Sequence, residues 1–539
     1  MRRRRYIELA LTAILFLSGV AIAVRAIAGP FHFGVSIGSP IKGEGLFGVA
    51  VLLLLVSRAT DRLQTRYQLI DSSWFIAALG LVAAGLAAYA GSFSFPFLAD
   101  DYVHIPNALY ASPAYLGALF TQPASDHFFR PATLLSYAIE ARVAGYEPVA
   151  WHALSVVLHI TVSLLVYMLA RRRGFAVWTA IAAAMLFLVH GSRPEAVTWI
   201  AAQFDLWAAL FVLIALLAFD SGWRVASLVP LLLALLSKES AYVYPLLLLL
   251  LLRSDRVPLN RWPRLAGPSF LLTAAAFLYR WRVIGGIGGY RNSVTNRAVI
   301  LNFDLIHTGQ GFTTRLAAAL NFPINWSHPP EWWLIALLVA AMAAWACLAV
   351  GAADRRKLWF GFGFLLLAAI PVHQFLLIDA NLEKSRVLYL PSVGFALIFA
   401  AALEGAQPRV AVAAACAILA FQTAALEHNL LIWHRISALA ASTCASVAAF
   451  RGEAEVSDIA NELDGVYFLH TGLRGCIERV DGPRPGLHLA GDAPATNPPA
   501  HALIWDGSAR LFHIRENPVR EAAAGQAQPV PRRPETTSQ

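Results

Sequence analysis

Two carboxylates stand side by side in FPFLADDYVH, Asp100 and Asp101, just beyond an apolar run at 72–92. Ionised acids are costly near hydrocarbon, so a pair at a membrane exit marks a site with a job. One of the two could take a proton from an acceptor hydroxyl as general base. Together they could hold a divalent cation whose shell is completed by substrate phosphates, although two acids are too few to close a metal site. The structural alternative is an Asp capping the helix that NALY suggests.

Four further clusters carry cations or imidazoles. DHFFRP offers His127 and Arg130 after Asp126, and His152 and His159, seven apart, share a helix face. Interfacial packing accounts better for His159 than chemistry does. HGSRPEAVTWIAAQFD brings His190, Arg193 and Glu195 together, with Arg193 and Glu195 readable as a surface ion pair. Asp205, deeper in the same run, reads as an acid that holds a neighbouring segment. Ser237, Lys238 and Glu239 lie at the tip of a hairpin, where Lys238 could meet a lipid-linked phosphate with Glu239 tuning its position. DANLEKSRV supplies Glu383, Lys384 and Arg386. Arg and Lys are the usual partners of phosphate oxygens, and a departing phosphate needs positive charge in the transition state. Acids in one segment and cations in three others suit one reaction: transfer of a sugar from a polyprenyl phosphate to a hydroxyl.

These segments need a scaffold, and composition says which kind. Of the 539 residues, 58% are hydrophobic and only 14% charged, with a mean hydropathy of +0.58. That balance excludes a soluble domain of this size. Apolar runs near 6–26, 44–57, 72–92, 151–170, 175–190, 199–219, 224–237, 241–252, 264–283, 332–352, 358–373, 387–404 and 410–427 predict an all-α polytopic membrane protein of about 11–14 spans. The first, after the RRRR start, is read as a retained helix. If every run crosses, the Arg-rich stretches at 2–5, 57–66, 171–173, 253–264 and 354–357 share the cytoplasmic side. The segments 93–150, 190–198, 284–331, 374–386 and the C-terminus then lie outside. The formal charge of +9 resides largely in these short loops and does not point to nucleic acid. The hairpin arms at 224–252 are too short to cross, so Lys238 and Glu239 should sit below the outer surface in a protein-lined cavity.

The expected organisation is N-terminal spans at 1–92, a first outer loop at 93–150, a membrane core at 151–427, a small mixed domain at 428–515 and a disordered tail at 516–539. Residues 428–450 read as helical, and the glycines of GGIGGY (285–290) as a flexible loop rather than a dinucleotide motif. Cys347 and Cys416 are read as core residues in spans, whereas Cys444 and Cys476 could form a disulfide in the C-terminal region.

The chain resembles GT-C-fold glycosyltransferases. It is most similar to the transmembrane, tetratricopeptide-repeat O-mannosyltransferases and their bacterial relatives. The resemblance is carried by ADD at 99–101, RPATLLSYAIEARVAGYEPVAWHALSVVLH at 130–159, HGSRPEAVTWIAAQFDLWAALF at 190–211, LLSKES at 235–240 and SRVLYLPSVGF at 385–395. It implies a GT-C-like fold and an inverting enzyme that uses a lipid-phosphate sugar, with an acidic motif in the first large outer loop. Asp100 and Asp101 match that motif, and Lys238, Arg386 and Arg130 would face the donor phosphate. His127, His190, Arg193, Glu195, Glu239, Glu383 and Lys384 are the accompanying pocket candidates. The family's repeat array has no counterpart here; residues 428–539 are of another kind, which leaves the acceptor (protein, lipid or glycan) open. The expected setting is a bacterial inner membrane, with the N-terminus cytoplasmic and the site and C-terminus outside. A flippase of lipid-linked sugars would use the same cations without a base, but the chain lacks the half-to-half symmetry common in transporters. An inactive scaffold of the same fold is the third reading.

Overall fold

The computed structural model describes residues 72–516 apart from 124–127, 290–304, 352, 451, 458, 470, 484–485, 490–500 and 507–508, together with two short strands at His32–Phe33 and Val35–Ser36. The expected spans at 6–26 and 44–57, His127 and the tail from 517 lie outside the described residues. The chain divides into two compact units, one of residues 1–95 and 107–434, the other of 96–106 and 435–539.

The first unit is a helical bundle. Its principal helices are α1 (Ser72–Tyr89), α3 (Pro131–Ala144), α4 (Pro148–Arg172), α5 (Val177–Leu188), α6 (Gln203–Asp220), α7 (Leu228–Leu235), α8 (Tyr244–Ser254), α9 (Trp262–Ile284), α10 (Trp332–Ala349), α11 (Arg355–Ala369), α12 (Pro391–Gly405) and α13 (Pro408–Ala449). Helix α2 (Asp101–Leu109) begins at the second acid of the pair. Proline recurs at the first positions, in α3, α4, α8, α9 and α12, where its missing N–H costs nothing.

Six helical segments among the described residues are long and apolar enough to cross a bilayer: Trp74–Ser94, Pro148–Arg172, Ile200–Asp220, Trp332–Ala349, Arg355–Phe375 and Pro408–Ala449. The chain is thus a membrane protein of all-α, polytopic type. Other expected spans are shorter helices. α7 has eight residues and α8 eleven, as the short-armed hairpin required. α11 and α12 pack closely because Gly361 and Gly394 face each other. A Cβ at Gly394 would lie 2.3 Å from Leu365 N and 2.5 Å from Gly361 O. Small residues at such seams let membrane helices gain dispersion contact where lipid offers no hydrophobic drive.

Loops of alternate parity collect at opposite ends of this unit. At one end Arg173 pairs with Asp220 and Asp255, both at 2.5 Å. Lys357 pairs with Glu404 at 2.5 Å and donates to Gly174 O, while Glu404 accepts from Ala176 N. These are the Arg-rich loops assigned to the cytoplasm. At the other end His190 meets Leu320 O, Trp326 N donates to Ala380 O, and Asn429 donates to Gly191 O and Pro323 O.

Several sequence expectations differ from the structure. Pro408–Ala449 form one 42-residue helix, α13, rather than a span followed by a separate helix, and the boundary expected at 428 falls within it. Residues 96–106 group with the C-terminal unit instead of with the rest of the 93–150 loop. Part of the 284–331 loop is helical, from Leu305 to Asn321 through a π-helical turn at Gly311–Arg315. Cys347 and Cys416 are exposed on the outer faces of α10 and α13, not in the core. A membrane helix has no need to turn such weakly polar groups inward.

The second unit holds a four-stranded mixed sheet: β1 (Ala454–Ser457), β2 (Leu487–Leu489), β3 (His501–Asp506) and β4 (Leu511–Glu516), in the order β2-β1-β3-β4. β1 pairs in parallel with β2 and β3, and β3 pairs antiparallel with β4. Between β1 and β2 runs α14 (Leu473–Asp481), which buries Leu473, Cys476 and Ile477. Trp505 packs on Phe468 and Phe512, each 5.3 Å between ring centroids. Cys444, near the end of α13, is disulfide-bonded to Cys476.

Candidate functional site

In the first unit the cations predicted to face a phosphate all have partners, though not always the expected ones. Lys238 follows the short helix α7 and pairs with Asp205, which α6 presents in its first turn. Asp205 thus holds a neighbouring segment, as read from the sequence. Glu239 does not position Lys238. Its carboxylate instead accepts from Arg130 Nη2 at 2.6 Å and Nε at 3.1 Å, and from Arg280 Nη2 at 3.2 Å. Burial would raise the Glu239 carboxyl, but Arg130 and Arg280 outweigh it and hold the group at about 2. Arg280 is a residue that sequence reasoning missed. Its signal was an Arg inside the apolar run FLYRWRVI of α9.

The surface pair that Arg193 and Glu195 could have made does not form, and neither residue is at the surface. Glu195, 1% exposed, pairs with Arg386 and also accepts from Arg386 N at 3.1 Å and Ser385 Oγ at 3.2 Å. Burial pushes its carboxyl up and Arg386 pulls it back. The Arg386 guanidinium lies 4.9 Å from the centroid of Trp199. Arg193 points inward and is fully buried. It donates to Phe187 O at 3.0 Å and to Ser392 Oγ, and its guanidinium lies over Phe187 and Tyr389. No carboxylate among the described residues pairs with it, and burial lowers its pKa to about 10. Two residues apart at the start of the short helix Pro194–Thr198, Arg193 and Glu195 leave in different directions.

His190 is also fully buried. Its Nε2–H donates to Leu320 O at 2.9 Å, and Nδ1, 3.2 Å from Ser192 N, accepts from that N–H. Burial holds it well below the usual imidazole range, so it is a neutral brace between loops. His159 bonds Tyr389 Oη at 2.8 Å and Leu188 O at 2.9 Å, and His152 bonds Phe95 O at 3.0 Å. Both serve packing. Glu383 and Lys384 pair with each other at 3.0 Å, with the Lys384 side chain 42% exposed. Leu382 and Lys384 have φ of +60° and +70°, a strained stretch leading into Arg386. Glu140, unremarked in the sequence, is buried on α3 beside Gln203, and burial raises its carboxyl well above the usual range.

Lys238, Arg130 and Arg386 come from three distant segments, yet they are close enough for the two guanidiniums to weaken the ammonium's hold on its proton. Burial lowers the Lys238 pKa most, Asp205 opposes that, and Arg130 and Arg386 add to it. With Arg280 the cluster carries four cations against the three carboxylates of Asp205, Glu195 and Glu239. Such a surplus suits one more anion.

In the second unit Asp101 begins α2 and is 1% exposed, its Oδ2 accepting from Leu98 N at 3.0 Å. Asp100 is half-buried, and its backbone oxygen accepts from Val103 N and His104 N. Neither acid caps the helix as the sequence alternative had it: the Asp101 side chain accepts from Leu98 N, ahead of the helix, and Asp100 contributes its backbone oxygen. Among the described residues no group of three or more His, Cys, Asp or Glu side chains gathers as a metal site.

No family model matches the chain. It is similar to protein O-mannosyl-transferase TMTC4 of Homo sapiens, 25% identical over 411 residues, covering 60% of this chain and 55% of that protein. It is similar also to TMTC4 of Mus musculus, 24% identical over 53% of this chain and 48% of the relative. A shorter stretch is 31% identical to TMTC2 of Mus musculus, over 27% of this chain and 18% of that protein. The chain spans about half the length of the TMTC4 relatives it matches. Among solved structures it is similar to the arabinofuranosyltransferase AftD from Mycobacteria, with a TM-score of 0.44 and 16% identity over 79% of this chain and 32% of that one. The similarity to the O-mannosyltransferases implied by the five motifs is thus found across much of the chain.

Proposed function

We propose that the chain is a membrane glycosyltransferase that moves a hexose from a polyprenyl-phosphate donor to a hydroxyl acceptor outside the cytoplasm, with inversion. One observation carries this reading: Lys238 pairs with Asp205 while Arg130, from a separated motif, pairs with the adjoining Glu239, and Arg386 is near enough to act on the Lys238 charge. The acceptor oxygen attacks the anomeric carbon, and the bond from that carbon to the phosphate oxygen breaks with its electron pair. The growing charge on the leaving phosphate is what the three cations stabilise. Asp100 or Asp101 takes the acceptor's proton. The similarity to protein O-mannosyl-transferases makes mannose and a protein hydroxyl the first pair to test. A bacterial inner membrane, with the Arg-rich loops in the cytoplasm, is the proposed setting.

The test uses the protein purified in detergent, with labelled polyprenyl-phosphate mannose, a Ser/Thr-rich peptide or a short glycan, and either divalent cations or chelator. Transfer with stoichiometric release of polyprenyl phosphate supports the reading, and dependence on the cation would assign the acidic pair a metal role. With no bilayer to cross, absence of both sugar transfer and polyprenyl-phosphate release favours a flippase or an inactive scaffold.

A further inference from the structure

We infer that helix α14, secured by the Cys444–Cys476 disulfide, is the positioning element of the acidic turn, with Gly472 and Gly475 as its contact residues. The inference rests on the reading of Asp100 and Asp101 as the acceptor-activating pair. Gly472 and Gly475 share one face of the first turn of α14. A Cβ at Gly472 would lie 2.0 Å from Ala99 O, and one at Gly475 would lie 2.3 Å from Tyr102 O. The helix therefore lies directly on the backbone that brackets both acids, and only glycine permits that approach. One turn further on, the Arg479 guanidinium sits 5.1 Å from the centroid of Phe97.

The turn itself is not relaxed. Ala99 has φ +43°, a conformation that a residue with a Cβ keeps only when its surroundings impose it. Asp101 in turn accepts from Leu98 N, so the direction of its carboxylate follows the path of this turn. The disulfide joins Cys476, buried between Gly475 and Ile477 on α14, to the end of α13. The order of dependence runs from disulfide to helix, from helix to turn, and from turn to carboxylate. Helix α14 and its disulfide thereby gain a role in setting the acidic turn.

Hydrogen exchange of the full-length protein in detergent tests this without substrate. For Gly475→Ala, and for wild type after mild reduction, the amides of residues 98–104 are expected to exchange about tenfold faster or more, while those around Arg386 keep their rate. Unchanged protection at 98–104 in both overturns the inference. Should Gly475→Ala fail to accumulate, Cys444→Ser with Cys476→Ser provides the same reading beside reduced wild type. In the transfer assay, kcat should fall by about tenfold to a hundredfold with the donor KM unchanged, because a displaced base slows chemistry without touching donor binding. A loosened turn with an unchanged kcat supports the positioning role and instead overturns the acceptor-activating role of the acidic pair.

Discussion

Replacing Glu239 by Gln tests the cation cluster at its most heavily loaded carboxylate. One side chain accepts from two guanidiniums, Arg130 at 2.6 Å and Arg280 at 3.2 Å, and its pKa drops from the ordinary 4.5 to about 2. A depressed carboxyl pKa stabilises the fold above the unfolded value, and that contribution disappears as pH falls through the folded value. The shift corresponds to about 3 kcal/mol, trimmed to about 2–3 kcal/mol because the side chain is 27% exposed. Gln at 239 mimics the protonated acid and leaves Arg130 and Arg280 facing each other uncompensated. The variant should therefore unfold several degrees earlier at neutral pH, followed by tryptophan fluorescence in detergent. It should also lose about one proton's worth of acid sensitivity between pH 4.5 and 2. A variant as stable as wild type at neutral pH, or one with an undiminished acid slope, refutes the assigned pairing.

Asp100→Asn and Asp101→Asn should each fold, and whichever acid takes the proton should lose about 10²–10⁴ in kcat when changed. Full transfer by both refutes the base assignment. Arg386→Lys gives up the guanidinium contact with Glu195 and its place over the Trp199 ring, so the donor KM should rise about tenfold, and an unchanged KM removes Arg386 from the donor site. Gly394→Ala places a methyl against Leu365 N and Gly361 O, and should cost about 1–3 kcal/mol in thermal unfolding. An unaltered melting curve would show that the seam between α11 and α12 is looser than described.

Much of the bundle is legible locally because apolar length is a local property. The run 151–170 becomes Pro148–Arg172, and 332–352 becomes Trp332–Ala349. The short hairpin arms were legible from length alone. The continuity of α13 was legible too, since no Gly or Pro falls between Arg409 and Arg451, but a hydropathy reading stops where polarity rises at Glu427. Partner choice was not legible. Glu195 stands two residues from Arg193 yet binds Arg386, 191 positions away, because residues two apart at the start of the short helix Pro194–Thr198 point to different sides. The same holds for Glu239, whose partners lie on α9 and at the start of α3. Nothing in the sequence singles out Gly472 and Gly475, because their packing against Ala99 and Tyr102 is a tertiary fact.

The pairing of Lys238, Arg130 and Arg386 with carboxylates of their own chain has a consequence for turnover. On the proposed reading, none of these cations waits bare for a ligand. An arriving phosphate diester must displace resident anions, so occupancy becomes an exchange of counterions. The monoester left after transfer carries more negative charge than the diester and would otherwise cling. Asp205, Glu195 and Glu239, poised to reclaim their partners, would help eject the spent carrier and reset the protein for another round.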